Sequence, residues 1–188
     1  MDKTFRRPRT AIALMSVILA SASVASMGTA GAAGAPYCGI TWGSLAKGGD
    51  GSSDAALRDV RTGVHECFDR VVFDFDGSAA AYEVDYASEI RTSGKGERLP
   101  VAGGAILRVH LHTNVFDHLG RAHYGRVAGD HVADVEGYRT LRDLVYGGGF
   151  ERRLTFGVGV RARLPFRVFT LPESGSGGRL VIDAAHRW

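Results

Sequence analysis

From residue 70 onward, apolar and polar side chains alternate along the chain with a period of two. Between Arg70 and Asp76, for example, Val71, Phe73 and Phe75 point to one side and the intervening residues to the other. The same alternation predicts strands at residues 82–91, 105–113, 150–160, 166–171 and 179–184. Each strand is expected to bury one face and to expose the other.

The apolar members of these strands are predicted to form the core of the domain. The pattern assigns to it Val71, Phe73, Phe75, Val84, Tyr86, Leu107, Val109, Leu111, Leu154, Phe156, Val158, Val168, Leu180 and Ile182. If residues 150–160 form one strand, Phe150 falls on the same inward face as Leu154.

Glycine-rich segments separate the predicted strands, at residues 93–96, 103–104, 147–149 and 174–178. Many short strands divided by such turns predict a mostly β protein with an antiparallel β-sandwich fold. Residues 54–63 are expected to hold one short helical turn before the first strong strand. The segment Tyr138 to Tyr146 fits a helix as well as a strand, because its apolar spacing suits either.

The N-terminal segment predicts a secretory signal peptide at residues 1–32. Basic residues precede an apolar run from Ala11 to Ala20, and small residues follow up to Ala35. That run is about ten residues long, whereas a membrane-spanning helix needs about 20. We therefore expect cleavage between residues 30 and 35, one domain at residues 33–188, and no stable membrane span. The pair Arg6-Arg7 leaves the twin-arginine route open beside the general secretory route.

The mature domain differs in net charge from the full chain, because the predicted signal peptide is basic. The full chain has 23 basic and 20 acidic residues. Residues 1–32 contain four of the basic residues and one of the acidic ones, which leaves 19 of each sign. A neutral mature domain gives no electrostatic support for nucleic-acid binding, which depends on clustered cations.

Two cysteines, Cys38 and Cys67, both follow the predicted cleavage region. An even number of cysteines in an exported protein favours a disulfide between them. A metal–thiolate pair and a reactive thiol are the competing interpretations, but no Cys-x-x-Cys spacing and no histidine at zinc-finger distance supports them.

Several short motifs resemble one protein family. They are Cys38-Gly39-Ile40-Thr41-Trp42-Gly43-Ser44, His65-Glu66-Cys67-Phe68-Asp69-Arg70, Phe150-Glu151, Pro165-Phe166-Arg167-Val168 and Arg179-Leu180-Val181-Ile182-Asp183. Together they resemble the AMIN-like domain family of secreted proteins and lipoproteins from high-GC Gram-positive bacteria, over about Tyr37 to Trp188. The resemblance implies a β-sandwich similar to the AMIN domain of cell-wall amidases, a targeting module whose proposed partner is peptidoglycan. No amidase domain follows, so we expect recruitment of the domain itself or of a separate partner.

Two sets of polar side chains are candidates for metal binding or for acid–base catalysis. His110 and His112 project from one face of a predicted strand and suit a metal, but Arg108 shares that face and its cation disfavours one. A pair of carboxylates on adjacent strands would suit acid–base catalysis. The simpler interpretation is an outward polar face that carries Asp69, Asp74, Asp76, Glu83 and Asp85. We therefore assign no catalytic residue, no metal ligand and no cofactor.

Aromatic residues outside the strands are the candidate ligand-binding residues, because a flat ring stacks on a sugar face. They are Tyr37, Trp42, Tyr124 and Trp188. Packing into the core is the competing interpretation for each of them.

Together these expectations describe a secreted, cell-wall-associated binding module. Its expected partner is an envelope glycan, with peptidoglycan as the leading ligand, or an envelope protein. Two alternatives stay open. A hydrolase acting on the wall would be favoured by a cleft in which a His–Asp pair or two carboxylates converge. A protein–protein interaction module would be favoured by a long unpaired sheet edge.

Overall fold

The computed structural model describes Met1 and residues 35–52, 54–116, 119–172 and 177–188. Ala35–Trp188 form one compact unit. The predicted signal peptide lies outside the described residues, apart from Met1. Export of the chain therefore stays a prediction from the sequence.

The described residues form a short 3₁₀ turn at Tyr37–Gly39 and eleven strands. The strands are β1 (Lys47–Gly49), β2 (Ala56–Val64), β3 (Phe68–Asp76), β4 (Ala81–Ala87), β5 (Ile90–Arg91), β6 (Arg98–Leu99), β7 (Ala105–His112), β8 (Leu141–Phe150), β9 (Arg153–Val160), β10 (Phe166–Leu171) and β11 (Arg179–Ala185). One sheet has the order β1-β4-β7-β9-β8, a second has the order β10-β11-β3-β2, and β5 pairs with β6. All of these pairings are antiparallel.

The two larger sheets pack face to face around one apolar core, which confirms the predicted β-sandwich. Phe73 of β3 and Phe156 of β9 meet across it, with their ring centroids 5.1 Å apart. The predicted inward residues are buried, except that Tyr86 and Val168 are partly buried against the same core. Burying such apolar side chains supplies the main driving force for folding, about 25 cal/mol for each Å² removed from water.

The helical turn predicted within residues 54–63 is wrong, because residues 56–63 belong to strand β2 and no helical turn precedes them at residues 54–55. Its pairing with β3 shifts register between Leu57 and Asp59, as at a β-bulge. The extra residue brings both Leu57 and Val60 into the core, although they are three positions apart. A spacing of three is also the spacing of a helix face, which explains the error.

Strand β8 resolves the ambiguous segment Tyr138 to Tyr146 in favour of a strand. Its register against β9 shifts twice, once between Leu141 and Asp143 and once between Tyr146 and Gly148. The first shift places Leu141 and Leu144 in the core together, again with helix-like spacing.

Phe150 does not lie on the inward face, so that part of the prediction is wrong. It ends β8, and a tight turn at Glu151 and Arg152 leads into β9. Both turn residues have positive φ, 47° and 61° respectively. Phe150 therefore stands directly opposite Arg153 and shares its outward direction, with 51% of its surface exposed.

Asp69 also departs from its predicted place on an outward polar face. It is fully buried, and its Oδ2 accepts hydrogen bonds from the backbone N–H of Thr140 (2.5 Å) and Leu141 (3.1 Å). Its Oδ1 lies 3.0 Å from Nε2 of the buried His186. Asp69 precedes Val71 by two residues on β3, so the strand alternation itself directs it inward.

Two glycines of β9 allow the β5–β6 hairpin and the chain after it to lie against the outer face of the five-stranded sheet. A Cβ placed on Gly157 would lie 2.7 Å from Cγ1 of Ile90, and one on Gly159 would lie 1.9 Å from the carbonyl oxygen of Ala102. Ile90 is accordingly buried, although it lies outside the two main sheets. The hairpin thus forms one wall of a surface groove.

Candidate functional site

A groove of about 640 Å³ opens on the outer face of the five-stranded sheet. Its floor consists of outward side chains from three neighbouring strands, and its wall is the segment around β5. The lining includes Asp85 of β4, Arg108 and His110 of β7, Arg153 and Thr155 of β9, and Ser93 of the wall. Strand register brings these side chains together, because His110 pairs with Thr155 and Asp85 pairs with Arg108.

Most of the charges in the groove are paired. The guanidinium of Arg108 donates two hydrogen bonds to Asp85, with N–O distances of 3.0 and 2.7 Å. Glu89 pairs with Arg91 at 2.6 Å. Among the described residues, Arg153 is the cation of the groove that has no carboxylate partner. The groove thus carries one net positive charge, located on β9.

His110 sits on the floor of the groove beside two hydroxyl groups. Its Nδ1 lies 3.1 Å from Oγ1 of Thr155, which in turn lies 3.3 Å from Oγ of Ser93. Burial lowers the pKa of His110, the charges of Arg153 and Arg108 lower it further, and Glu83 and Asp85 only partly oppose them. The ring is therefore neutral at pH 7, and it can donate from one nitrogen and accept at the other.

Phe150 forms part of the rim of this groove. Its ring lies 3.7 Å from the position that a Cβ on Gly94 would occupy, and Gly94 lines the groove. Phe150 is also the direct cross-strand partner of Arg153. An exposed ring thus lies next to the unpaired cation.

The outer face of the four-stranded sheet carries a second polar arrangement, in which Asp183 is fully buried between two arginines. Arg70 donates to both of its carboxylate oxygens, at 2.6 and 2.9 Å, and Nε of Arg167 lies 2.8 Å from Oδ2. The guanidinium of Arg167 covers the ring of Trp42 at 4.5 Å, and that of Arg70 lies 5.3 Å from the ring of Phe68. The charge on Asp183 is thus satisfied within the sheet.

Three of the four predicted aromatic residues lie near the N-terminal segment and the C-terminus. The side chain of Arg187 covers the ring of Tyr37 at 4.8 Å. Trp42 is partly buried and packs edge-on against Phe68, with centroids 5.6 Å apart. Trp188 is 66% exposed and donates its indole N–H to the carbonyl oxygen of Arg163. None of the three lines the groove described above.

Tyr124 is not available to a ligand, and for this residue the core-packing interpretation is correct. Only 7% of its surface is exposed. Its ring packs against Tyr146 and Phe156, at centroid distances of 5.2 and 5.8 Å. The long connection between β7 and β8 folds back over the core and carries Tyr124 with it, which its position in the sequence does not indicate.

Cys38 and Cys67 form a disulfide, as their number predicted. The bond ties the 3₁₀ turn to the residue that precedes β3. It closes a loop between positions 29 residues apart. Its expected contribution to stability is about 3 kcal/mol.

A model of the AMIN-like domain family matches residues 55–186, which is more than half of the chain. The chain belongs to the AMIN-like domain family. Neither a curated protein nor a solved structure matches it significantly. The matched region of this AMIN-like domain includes the whole lining of the groove and Phe150 on its rim. The opening motif from Cys38 to Ser44 precedes the matched region.

Among the described residues, the exposed His131 pairs with the buried Asp143. Nδ1 of His131 lies 2.6 Å from Oδ1 of Asp143, beside a cavity of about 690 Å³. Asp143 is largely occupied by structural contacts, because it also accepts the backbone N–H of Ala102 (2.9 Å) and of Leu144 (2.8 Å). Among the described residues, no serine, threonine or cysteine lines this cavity.

The described part of the domain contains neither a metal-binding cluster nor a membrane-spanning helix. No group of three or more His, Cys, Asp or Glu side chains there is arranged to hold a metal ion. Within the same residues, no helix is long and apolar enough to span a membrane.

The groove was not predicted as a site from the sequence, although Arg108 and His110 were predicted to share one outward face. The missing information was the position of β5 and β6, which turn a flat strand face into a groove. One signal pointed to this arrangement. Gly157 and Gly159 occupy successive outward positions of β9, and such a gap in the side chains indicates that another segment approaches closely.

Proposed function

We propose that this AMIN-like domain is exported and binds a cell-wall glycan without cleaving it. The observation that carries the proposal is the groove on the five-stranded sheet, which presents hydrogen-bonding side chains in a row within the region that defines the family. Peptidoglycan is the glycan that membership of this family supports.

The chemistry of the groove suits sugars. Neutral His110 and the hydroxyl group of Ser93 are partly buried, and each offers both donor and acceptor capacity, as sugar hydroxyl groups require. The buried hydroxyl group of Thr155 lies between them and positions both. The exposed ring of Phe150 offers an apolar surface at the rim. Ligand sites commonly combine such a surface with a few well-placed polar groups.

Export is supported by two independent features. The N-terminal segment has the order of charged, apolar and small residues typical of a secretory signal. The Cys38–Cys67 disulfide suits an oxidising compartment outside the cytoplasm, since cytoplasmic reductants keep most thiols reduced.

The test is retention of the exported, processed protein on purified insoluble cell wall, compared with an unrelated protein of equal size and charge. We expect specific retention that survives moderate salt, because the mature domain has no net charge and screening affects mainly exposed charges. Alanine substitutions show which aromatic ring contributes to retention. Phe150→Ala tests the rim of the groove, and substitutions of Trp42, Tyr37 and Trp188 test the other exposed or partly exposed rings. Absence of retention at every salt concentration would refute the proposal and favour a protein partner.

A wall hydrolase is the second candidate, because His131 and Asp143 form a His–Asp pair beside a cavity. A histidine held by a carboxylate is a common general base. Wall material incubated with the wild type is therefore assayed for soluble sugar or peptide fragments. Release that is lost in the His131→Gln variant would establish the hydrolase and overturn the binding-only proposal.

A further inference from the structure

We propose that the groove binds a saccharide that carries a carboxylate, with Arg153 as the group that pairs with the carboxylate and Phe150 as the ring that stacks on the sugar. This inference deepens the proposed function and rests on it. It names both the ligand class and the site, neither of which follows from membership of the family.

The charge on Arg153 differs from the other charges of the groove in its lack of a partner among the described residues. In the described residues Asp85 and Glu89 are paired with Arg108 and Arg91, whereas no carboxylate lies within ion-pair distance of Arg153. A guanidinium group matches a carboxylate with two parallel N–H···O bonds. Of the three arginines that line the groove, Arg153 is therefore the one whose position suits a ligand with a carboxylate.

The ring of Phe150 is placed beside Arg153 by the register of the two strands. Phe150 and Arg153 are opposite one another in the β8–β9 hairpin, so both side chains project from the outer face. The partly buried His110 of β7 stands opposite Thr155, which follows Arg153 by two residues, or about 7 Å, along β9. Stacking, carboxylate and hydroxyl contacts are thus available within the space of one or two sugar rings.

Two carboxylates in the groove make it unsuited to a ligand with many negative charges. Asp85 and Glu89 lie in the same groove as Arg153 and would repel a ligand with many negative charges. A polymer of phosphate groups is therefore a poor fit. A sugar with one carboxylate places its charge at Arg153 and its hydroxyl groups along the remainder of the groove.

The experiment measures binding of the exported, processed protein to three probes by calorimetry. The probes are a neutral tetrasaccharide of N-acetylglucosamine, a tetrasaccharide in which glucuronic acid alternates with N-acetylglucosamine, and a short wall peptide with free carboxylates but no sugar. We expect the acidic tetrasaccharide to bind about tenfold more tightly than the neutral one, the gain of one charge-assisted pair. Binding of the sugar-free peptide as tight as that of the acidic sugar would overturn the saccharide assignment.

Variants locate the site. Arg153→Gln should remove the preference for the acidic probe, so that the two tetrasaccharides bind with equal affinity. Arg152→Gln is the matched control, since it removes the same charge one residue away and Arg152 does not line the groove. Phe150→Ala should weaken the binding of both tetrasaccharides, whereas Phe150→Tyr should bind both as tightly as the wild type does. Urea unfolding checks that each variant is as stable as the wild type.

The outcomes separate the two proposals. If the wild type is retained on cell wall and Arg153→Gln and Arg152→Gln have equal effects, the groove assignment fails and the wall-binding proposal stands. If the wild type is not retained on wall and binds neither tetrasaccharide, both proposals fail.

Discussion

Nε2 of His186 lies 3.0 Å from Oδ1 of Asp69 in the interior of the domain, and Nδ1 of the same ring lies 3.1 Å from the carbonyl oxygen of Glu66. Asp69 stands near the start of β3 and His186 directly follows β11. Through its other oxygen, Asp69 also holds the beginning of β8. One buried carboxylate thus joins three segments that are distant in the sequence.

Substitution of Asp69 by alanine is expected to destabilise the fold by about 3 kcal/mol, because it leaves a buried histidine and two backbone N–H groups without their acceptor. Asp76→Ala is the control. Asp76 pairs with Arg58 at 3.1 Å, and its side chain is 65% exposed. Exposed pairs contribute about 0–1 kcal/mol. Urea unfolding of both variants measures the difference, and equal losses would contradict a structural role for the buried pair.

Substitution of Gly159 by alanine is expected to displace the segment after β6 and to cost about 2 kcal/mol, because the new Cβ would lie 1.9 Å from the carbonyl oxygen of Ala102. Gly125→Ala is the matched control, since a Cβ there meets nothing within 4 Å. Thermal unfolding gives the stability of each variant. A Gly159→Ala protein as stable as Gly125→Ala would show that the hairpin moves without strain.

Replacing both Cys38 and Cys67 by serine is expected to lower the free energy of unfolding by about 3 kcal/mol, chiefly because the unfolded chain gains conformational freedom. Urea unfolding is measured with and without a thiol reductant. The wild type should lose stability on reduction and approach the variant, while the variant should not respond. A response of the variant to the reductant would point to an effect unrelated to the disulfide.

The stability contributed by His110 is expected to depend on pH. Burial and the positive charges of Arg153 and Arg108 lower the folded-state pKa of His110 below its ordinary value of 6.5, and the carboxylates of Glu83 and Asp85 oppose this only in part. The unfolded state therefore binds the proton more readily, so the contribution is present above pH 6.5 and is lost as the pH falls from there through the lowered pKa.

The measurement that checks this expectation is the difference in unfolding free energy between the wild type and His110→Gln, followed from pH 8 to pH 5. The difference cancels the titration of the other histidines. Relative to the variant, the wild type should become less stable as the pH falls. A difference that grows in favour of the wild type on acidification would show that His110 is instead protonated in the folded state.

Two-residue alternation was sufficient to predict β3, β4, β7, β10 and β11 and most of the apolar residues that they bury, although the buried Asp69 of β3 was placed on the outward face. This pattern is local, because each side chain of a strand points to the face opposite to that of its neighbours. It was misleading at β2 and β8, where bulges place Leu57 with Val60 and Leu141 with Leu144 in the core. Whether a strand is bulged depends on its partner, which no local window contains.

The sequence by itself determined the sandwich, the disulfide between Cys38 and Cys67 and the outward direction of Arg108 and His110, because alternation and cysteine number depend on the chain alone. Only the tertiary structure decided that Tyr124 is buried and that Phe150 stands beside Arg153. The first depends on where a long connection folds, and the second on a tight turn that reverses the chain. The groove likewise exists only because the β5–β6 hairpin packs over Gly157 of β9. Contacts of this kind join residues distant in sequence, and their geometry is set by the packing of the whole domain.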